Sequence, residues 1–242
     1  MIDFDKKEAF EVRKVVEICG KVLRVLNKSL FLQPIWHRNC QSKREKIVFL
    51  MPNLYIISGC NGAGKTTASL TVLPETLQCT EFVNSDAIAK GLSPLNPDSA
   101  QFAAGRLMIS RIKKHISEKS DFAIETTLAS KTYHSLVKQA KEVGYNVHLM
   151  YFWLQSPDLA IKRVAERVKN GGHNVEENII RRRYTMGIRN LFNLYCPVVD
   201  YFVLIDNSNI PSEIIAEGNN DAIKIYNEEK FNTIRQYDNS KS

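Results

Sequence analysis

Nine consecutive residues, Gly59-Cys60-Asn61-Gly62-Ala63-Gly64-Lys65-Thr66-Thr67, carry the types and spacing G-x-x-x-x-G-K-[ST] of a loop that cradles a nucleotide polyphosphate. Its glycines let the backbone curl so that successive N–H groups face the phosphates, and the helix that follows directs its positive end at the same anion. Gly59, Asn61, Gly62, Ala63, Gly64, Lys65, Thr66 and Thr67 are therefore candidate ATP-binding residues. Lys65 is placed to bridge the β- and γ-phosphates, and the Thr66 hydroxyl is a candidate ligand of Mg²⁺. The loop alone establishes nucleotide binding, not turnover.

Transfer of a phosphoryl group to a hydroxyl also needs a carboxylate to orient that hydroxyl and take its proton, and cations to offset the developing charge. Asp86, in Phe82-Val83-Asn84-Ser85-Asp86, follows a short strand and opens a helix, so it is a candidate base; capping that helix is its alternative role. Glu125 and Thr127, in Glu125-Thr126-Thr127, end another strand and are candidate acceptor-binding residues, or caps of the next helix. Arg106 lies on a helix whose other positions read as core, and is either substrate-binding or solvated. Arg163 to Lys169, the Gly171-Gly172 pair and His173 read as a mobile lid, followed by Arg181-Arg182-Arg183 on a second helix. Arg167 and Arg182 are the candidate catalytic lid arginines. Consecutive helical residues point about 100° apart, so at most two of the triplet can face one site; a solvated basic face is the alternative.

The elements that must position these groups alternate from residue 53 onward. Strands are expected at Leu54–Ser58, Glu81–Asn84, Phe122–Glu125, Asn146–Trp153 and Tyr201–Ile205. Helices are expected at Lys65–Leu73, Ser99–Glu118, Thr132–Val143, Pro157–Lys169 and Val175–Asn193. Ser156 before Pro157 reads as an N-cap, Gly144 as a C-terminal cap, and Asn174 with Glu177 as a capping box. The alternation predicts an α/β fold of three layers, α/β/α, with a mostly parallel sheet of about five strands. Ligands of such sheets bind at the carboxyl ends of the strands.

The chain has 242 residues, 44% of them hydrophobic and 24% charged, with a net charge of +7. That composition excludes disordered, collagen-like and low-complexity classes. No apolar run approaches the roughly 20 residues of a membrane span, and the acidic start lacks the pattern of a signal peptide, so a cytoplasmic location is expected. Residues 1–50 hold 11 Lys plus Arg against 6 Asp plus Glu. Most of the positive excess therefore lies on a front segment, where residues 7–32 show helical periodicity before a basic linker. Two units follow: a helical extension and linker over 1–46, and a catalytic domain over 51–242. The five cysteines are scattered without C-x-x-C spacing, which suggests neither a disulfide framework nor a zinc site.

Met51-Pro-Asn-Leu-Tyr-Ile-Ile-Ser-Gly-Cys-Asn-Gly-Ala-Gly-Lys-Thr-Thr67, Phe82-Val-Asn-Ser-Asp86, Ala104-Gly-Arg106, Glu125-Thr-Thr-Leu128, Gly171-Gly-His-Asn-Val175 and Tyr201-Phe-Val-Leu-Ile-Asp-Asn-Ser208 occur together in that order. The combination resembles the compact bacterial branch of the zeta toxin family, P-loop kinases related in fold to shikimate and nucleoside monophosphate kinases. The resemblance spans residues 51 to about 235. It implies ATP-dependent phosphorylation of UDP-N-acetylglucosamine on its 3'-hydroxyl, as the toxin of a toxin–antitoxin pair. It also implies Lys65 and Thr66 at the nucleotide and Mg²⁺ positions, Asp86 as substrate base, and Glu125 and Thr127 as substrate contacts. At Ala129 the chain departs from the family, which carries an arginine there, and the lid is of a shorter Gly-Gly-His type. Three other readings fit the loop. An ABC-type ATPase lacks support because no Leu-Ser-Gly-Gly-Gln signature is present. A polynucleotide-directed kinase would need a broad basic stripe, and residues 51–242 carry 22 Lys plus Arg against 20 Asp plus Glu, a balance that argues against nucleic acid as a partner. A nucleotide-dependent switch without transfer activity needs no residue beyond the loop itself.

Overall fold

Strands buried on both faces need uninterrupted apolar runs, and Leu54 to Ile57 supplies one. In the computed structural model, which describes residues 51–239, this run forms β1 (Asn53–Gly59), fully buried from Leu54 onward. The helix predicted over residues 7–32 and the basic linker lie outside the described residues. From β1 the chain runs through α1 (Lys65–Glu75), β2 (Phe82–Val83), α2 (Ser85–Leu92), a 3₁₀ turn (Pro97–Ala100), α3 (Gln101–Glu118), β3 (Phe122–Thr126) and α4 (Thr132–Glu142). It continues through β4 (Asn146–Trp153), α5 (Pro157–Lys169), α6 (Glu177–Asn190), a π turn (Leu191–Tyr195), β5 (Tyr201–Asp206), β6 (Glu213–Gly218), β7 (Ile223–Ile225) and α7 (Glu228–Asn239).

The strands form one sheet in the order β2-β3-β1-β4-β5-β6-β7. The first five are parallel, and β6 and β7 join antiparallel at the edge. All five predicted strands are present, and the sheet has seven strands instead of about five. The two additions carry short apolar signals: β6 has only Ile214-Ile215-Ala216 at its centre, and β7 is exposed throughout. They are joined by a turn in which Asn219 Oδ1 accepts from the N–H groups of Asp221 and Ala222. Ser156 caps α5 by accepting from Leu159 N, with Pro157 at the first helical position. Gly144 follows α4 with φ of 94°. The predicted Asn174–Glu177 box does not form, because α6 starts at Glu177 with Glu176 as its N-cap and no side-chain cap bond.

The parallel order brings the carboxyl ends of β2, β3, β1, β4 and β5 to one edge, where the phosphate loop leaves β1. At the sheet's centre, His148 on β4 is buried and stacked on Tyr55 of β1, with ring centroids 5.4 Å apart. Its Nδ1 has no partner, and burial pushes its pKa down to about 4, with Lys141 acting in the same direction and Asp200 and Asp121 against it. The unfolded chain therefore takes up a proton near pH 6.5 that the folded chain refuses until about pH 4. Stability supplied by neutral His148 is complete above the unfolded pKa and is lost as pH falls through this window, on the order of 3 kcal/mol in all. Urea titrations across the window should show the folded state weakening with acidification. In His148→Phe, which keeps an aromatic ring on Tyr55, the slope should shrink by about one proton; an unchanged slope would remove His148 from this role.

Candidate active site

Backbone crowding dictates the glycines of the phosphate loop. Gly59 has φ of 140°, and a Cβ there would lie 2.2 Å from Phe152 O on β4. Gly62 and Gly64 take φ of 77° and 82°, and a Cβ on Gly64 would meet Asn207 Nδ2 at 2.6 Å. Only glycine fits these positions without moving the neighbouring backbone or side chain. That amide fixes the loop from outside, since Asn207 Nδ2 donates to Ala63 O at 2.8 Å while its Oδ1 accepts from Ser212. Inside the loop, Lys65 is buried, its Nζ donating to Cys60 O at 2.9 Å and lying 3.9 Å from Glu125 Oε1. Thr66 and Thr67 are exposed in the first turn of α1.

Glu125, at the end of β3, is the meeting point of three strands. Thr66 Oγ1 donates to its carboxylate at 2.9 and 3.1 Å, and Asn84 Nδ2 donates at 2.7 Å. Burial pushes the Glu125 pKa up, the Asp86 charge adds to that rise, and Lys65 with the Thr66 and Asn84 hydrogen bonds holds it back. The other end of Asn84 caps α2, its Oδ1 accepting from Asp86 N at 2.8 Å and Ala87 N at 3.0 Å. The capping role weighed for Asp86 thus belongs to Asn84, and Asp86 stands exposed in the first turn of α2.

Together these groups line a cavity of about 580 Å³. Lys65, Asp86, Glu125, Thr127 and Arg182 are all on its wall, joined by Asn61, Gln101, Ala129, Tyr133 and Arg183. Of the arginine triplet, Arg181 turns away to Asp158 at 2.6 Å. Arg182 is exposed, while Arg183 is half-buried with Nη1 donating to Asn61 Oδ1 at 3.3 Å. Two of the expected arginines are not brought to this wall. Arg167 folds back so that Nη2 donates to His173 O at 2.6 Å, and Arg106 lies exposed with its guanidinium 4.7 Å from the centre of the Phe102 ring. Asp206, at the end of β5, is bonded to Lys230 and accepts from Ser208 N.

The loop after β3 is held in an unusual shape. Leu128 has φ of 57°, a left-handed conformation that a bulky residue adopts only when its surroundings impose it. Its carbonyl accepts from Asn190 Nδ2 at 2.6 Å, and its N–H donates to Thr126 Oγ1 at 3.1 Å. Gly187 allows α6 to approach, for a Cβ there would lie 2.5 Å from Thr127 O.

The Zeta toxin family model matches residues 39–230. The chain belongs to the zeta toxin family. A relative in Haemophilus influenzae, an uncharacterized protein, is 33% identical over 141 residues, which are 58% of this chain and 99% of that one. Among solved structures, a chain of the PezAT chromosomal toxin–antitoxin system of Streptococcus pneumoniae is similar with a TM-score of 0.55 at 16% identity, over 93% of this chain and 89% of that one. A chain of the AvrRxo1-ORF1:-ORF2 complex with ATP matches with a TM-score of 0.59 at 14% identity, over 98% of this chain and 74% of that one. At these identities the likeness is one of fold.

The site of this zeta toxin family member offers groups that could hold a nucleotide and a hard cation. The phosphate loop offers Lys65 and backbone N–H groups, and the Thr66 hydroxyl adjoins the Glu125 carboxylate, an all-oxygen pair suited to a hard cation. Sequence reasoning did not single out Asn84, Gly187, Asn190 or the clamping role of Asn207, and it favoured Arg182 over Arg183. Signals were present for some of these. Asn84 is an N-cap residue type just before a helix, and Arg183, Gly187 and Asn190 share one helical face by their spacing of four and three.

Proposed function

We propose that this protein is an ATP-dependent phosphotransferase that moves the γ-phosphate of ATP onto a hydroxyl of a small-molecule acceptor. The observation that carries this reading is the exposed Asp86 carboxylate on the wall of the cavity that also contains Lys65. Lys65 and the loop N–H groups hold the β- and γ-phosphates, and Arg183, already on Asn61, adds positive charge at the same loop. Thr66 and Glu125 would hold Mg²⁺, which when bound neutralises phosphate charge. Asp86 accepts the proton of the acceptor hydroxyl while that oxygen bonds to the γ-phosphorus and the bond to the bridging oxygen breaks, releasing ADP. Thr127 and the loop around Leu128 place the acceptor.

Purified protein with MgATP and a bacterial metabolite extract should yield a new phosphorylated species by mass spectrometry. Asp86→Asn should lose it by about 100-fold or more while still binding ATP, and Lys65→Ala should lose ATP binding itself. Full transfer by Asp86→Asn would remove Asp86 as base, and an ATPase or switch would give no phosphorylated acceptor at all.

The family and the fold shared with a toxin–antitoxin chain support a second element of the proposal, that the kinase acts as a cytoplasmic toxin restrained by an antitoxin protein. Among the described residues no helix is long and apolar enough to cross a membrane. Induced expression in a bacterium should halt growth, and Lys65→Ala should relieve the arrest. Unimpaired growth with the wild-type chain would contradict the toxin role and leave the transferase role standing.

A further inference from the structure

Asn84 is buried just after β2, and the two ends of its side chain serve different parts of the site. Its Oδ1 accepts from Asp86 N at 2.8 Å and Ala87 N at 3.0 Å, while its Nδ2 donates to Glu125 Oε2 at 2.7 Å. Capping a helix explains only half of this. Ser and Asp cap as well as Asn does, but a serine hydroxyl ends one bond short of the amide nitrogen, and an aspartate carboxylate has no donor. What the carboxamide adds is the bond to Glu125, held at a fixed distance from the cap because the amide is planar.

The helix that begins there has few other anchors. Ala89 is the one buried residue of α2, and it belongs to a small cluster with Ala100 and Ala104 that is separate from the main core. Half-buried Ile88 supplies the contact of α2 with that core, and β2, which leads into the helix, is two residues long. The position of Asp86 in the first turn therefore depends on what holds its backbone, and the group that its N–H meets is Asn84. A continuous hydrogen-bonded path runs from Thr66 Oγ1 beside the phosphate loop to Glu125, from Glu125 to Asn84, and from Asn84 to the backbone of Asp86. A ligand that immobilises Thr66 and Glu125 also steadies the amide that holds the start of α2.

We propose that Asn84 is a positioning residue for Asp86, tying the start of α2 to Glu125 so that nucleotide bound at the phosphate loop sets the proton acceptor in place. This deepens the kinase reading and rests on it for the role of Asp86. Oδ1 and Nδ2 of Asn84 are both engaged by protein groups, so its action runs through Asp86 and Glu125.

The first measurement needs no variant. Amide hydrogen exchange of the full-length protein, followed with and without Mg²⁺ and the non-hydrolysable analogue AMP-PNP, should show residues 86–89 slowed at least about fivefold by the nucleotide. Asn84→Ser keeps a capping oxygen and loses the bond to Glu125. It should bind AMP-PNP within about threefold of wild type, while the slowing at 86–89 falls below about twofold. Exchange that ignores the nucleotide in wild type, or that slows equally in the variant, would overturn the proposal. Transfer to a bacterial metabolite extract gives the second readout. At saturating ATP, Asn84→Ser should phosphorylate the acceptor about 10- to 100-fold more slowly with little change in KM for ATP, and the same substitution in Asp86→Asn should cost no more than about twofold. An equal loss in both backgrounds means that Asn84 acts independently of Asp86, and overturns the positioning role. Wild-type protein that transfers nothing would overturn the kinase reading instead, and the exchange measurement would still decide whether Asn84 ties α2 to the nucleotide.

Discussion

A carboxylate on the last turns of a buried strand is unfavourable unless its charge is matched, and Glu125 is matched from three directions. Thr66 Oγ1 and Asn84 Nδ2 donate to it, and Lys65 Nζ lies 3.9 Å away. These partners come from the starts of α1 and α2, at the ends of β1 and β2. The parallel pairing that sets Ile57 opposite Glu125, and Val83 opposite Ile124, is what brings them within reach. The phosphate loop, the helix that presents Asp86 and the loop after β3 therefore all hang from one hydrogen-bonded node. A shift of any of the three strands would leave a buried charge short of partners.

A second constraint runs across the site on α6. Arg183, Gly187 and Asn190 occupy one face of that helix, over about 10 Å. Arg183 touches the phosphate loop through Asn61, Gly187 lets the helix meet Thr127, and Asn190 holds Leu128 in its left-handed conformation. One rigid rod thus fixes the spacing between the phosphate loop and the loop after β3. The strain at Leu128 is sustained by two hydrogen bonds and by complete burial of its side chain, and it orients Thr127 and Ala129 at the wall.

What was legible in the sequence follows from how local each signal is. The phosphate loop is a contiguous motif, and the five parallel strands are buried on both faces, so each reads as an apolar run. The β6–β7 hairpin is an edge whose β7 residues are exposed, so hydrophobicity marks it poorly, although the Asn219-Asn220-Asp221 turn punctuates it. Arg106 could have been read more closely. Ala104, Met108, Ile112 and His115 are the buried stripe of α3, and residue 106 lies about 200° around the helix from 104, on the solvent side. Arg167 could not, because its direction depends on the return of the Gly171-Gly172-His173 segment, a tertiary event with no periodicity to announce it. Glu125 was legible as a site residue, but its attachment to Thr66 and Asn84 depends on strand order, which no single segment encodes.

The claim that Glu125 is the node between nucleotide, metal and acceptor is tested most directly by the Mg²⁺ dependence of ATP binding in Glu125→Gln, measured beside wild type. The side chain keeps its shape and can still accept a hydrogen bond from Thr66. Wild type should bind ATP more tightly as Mg²⁺ is added, and in the variant that gain should drop by about 10- to 100-fold while metal-free binding stays near the wild-type value. A variant that keeps the full wild-type response to Mg²⁺ would contradict the account.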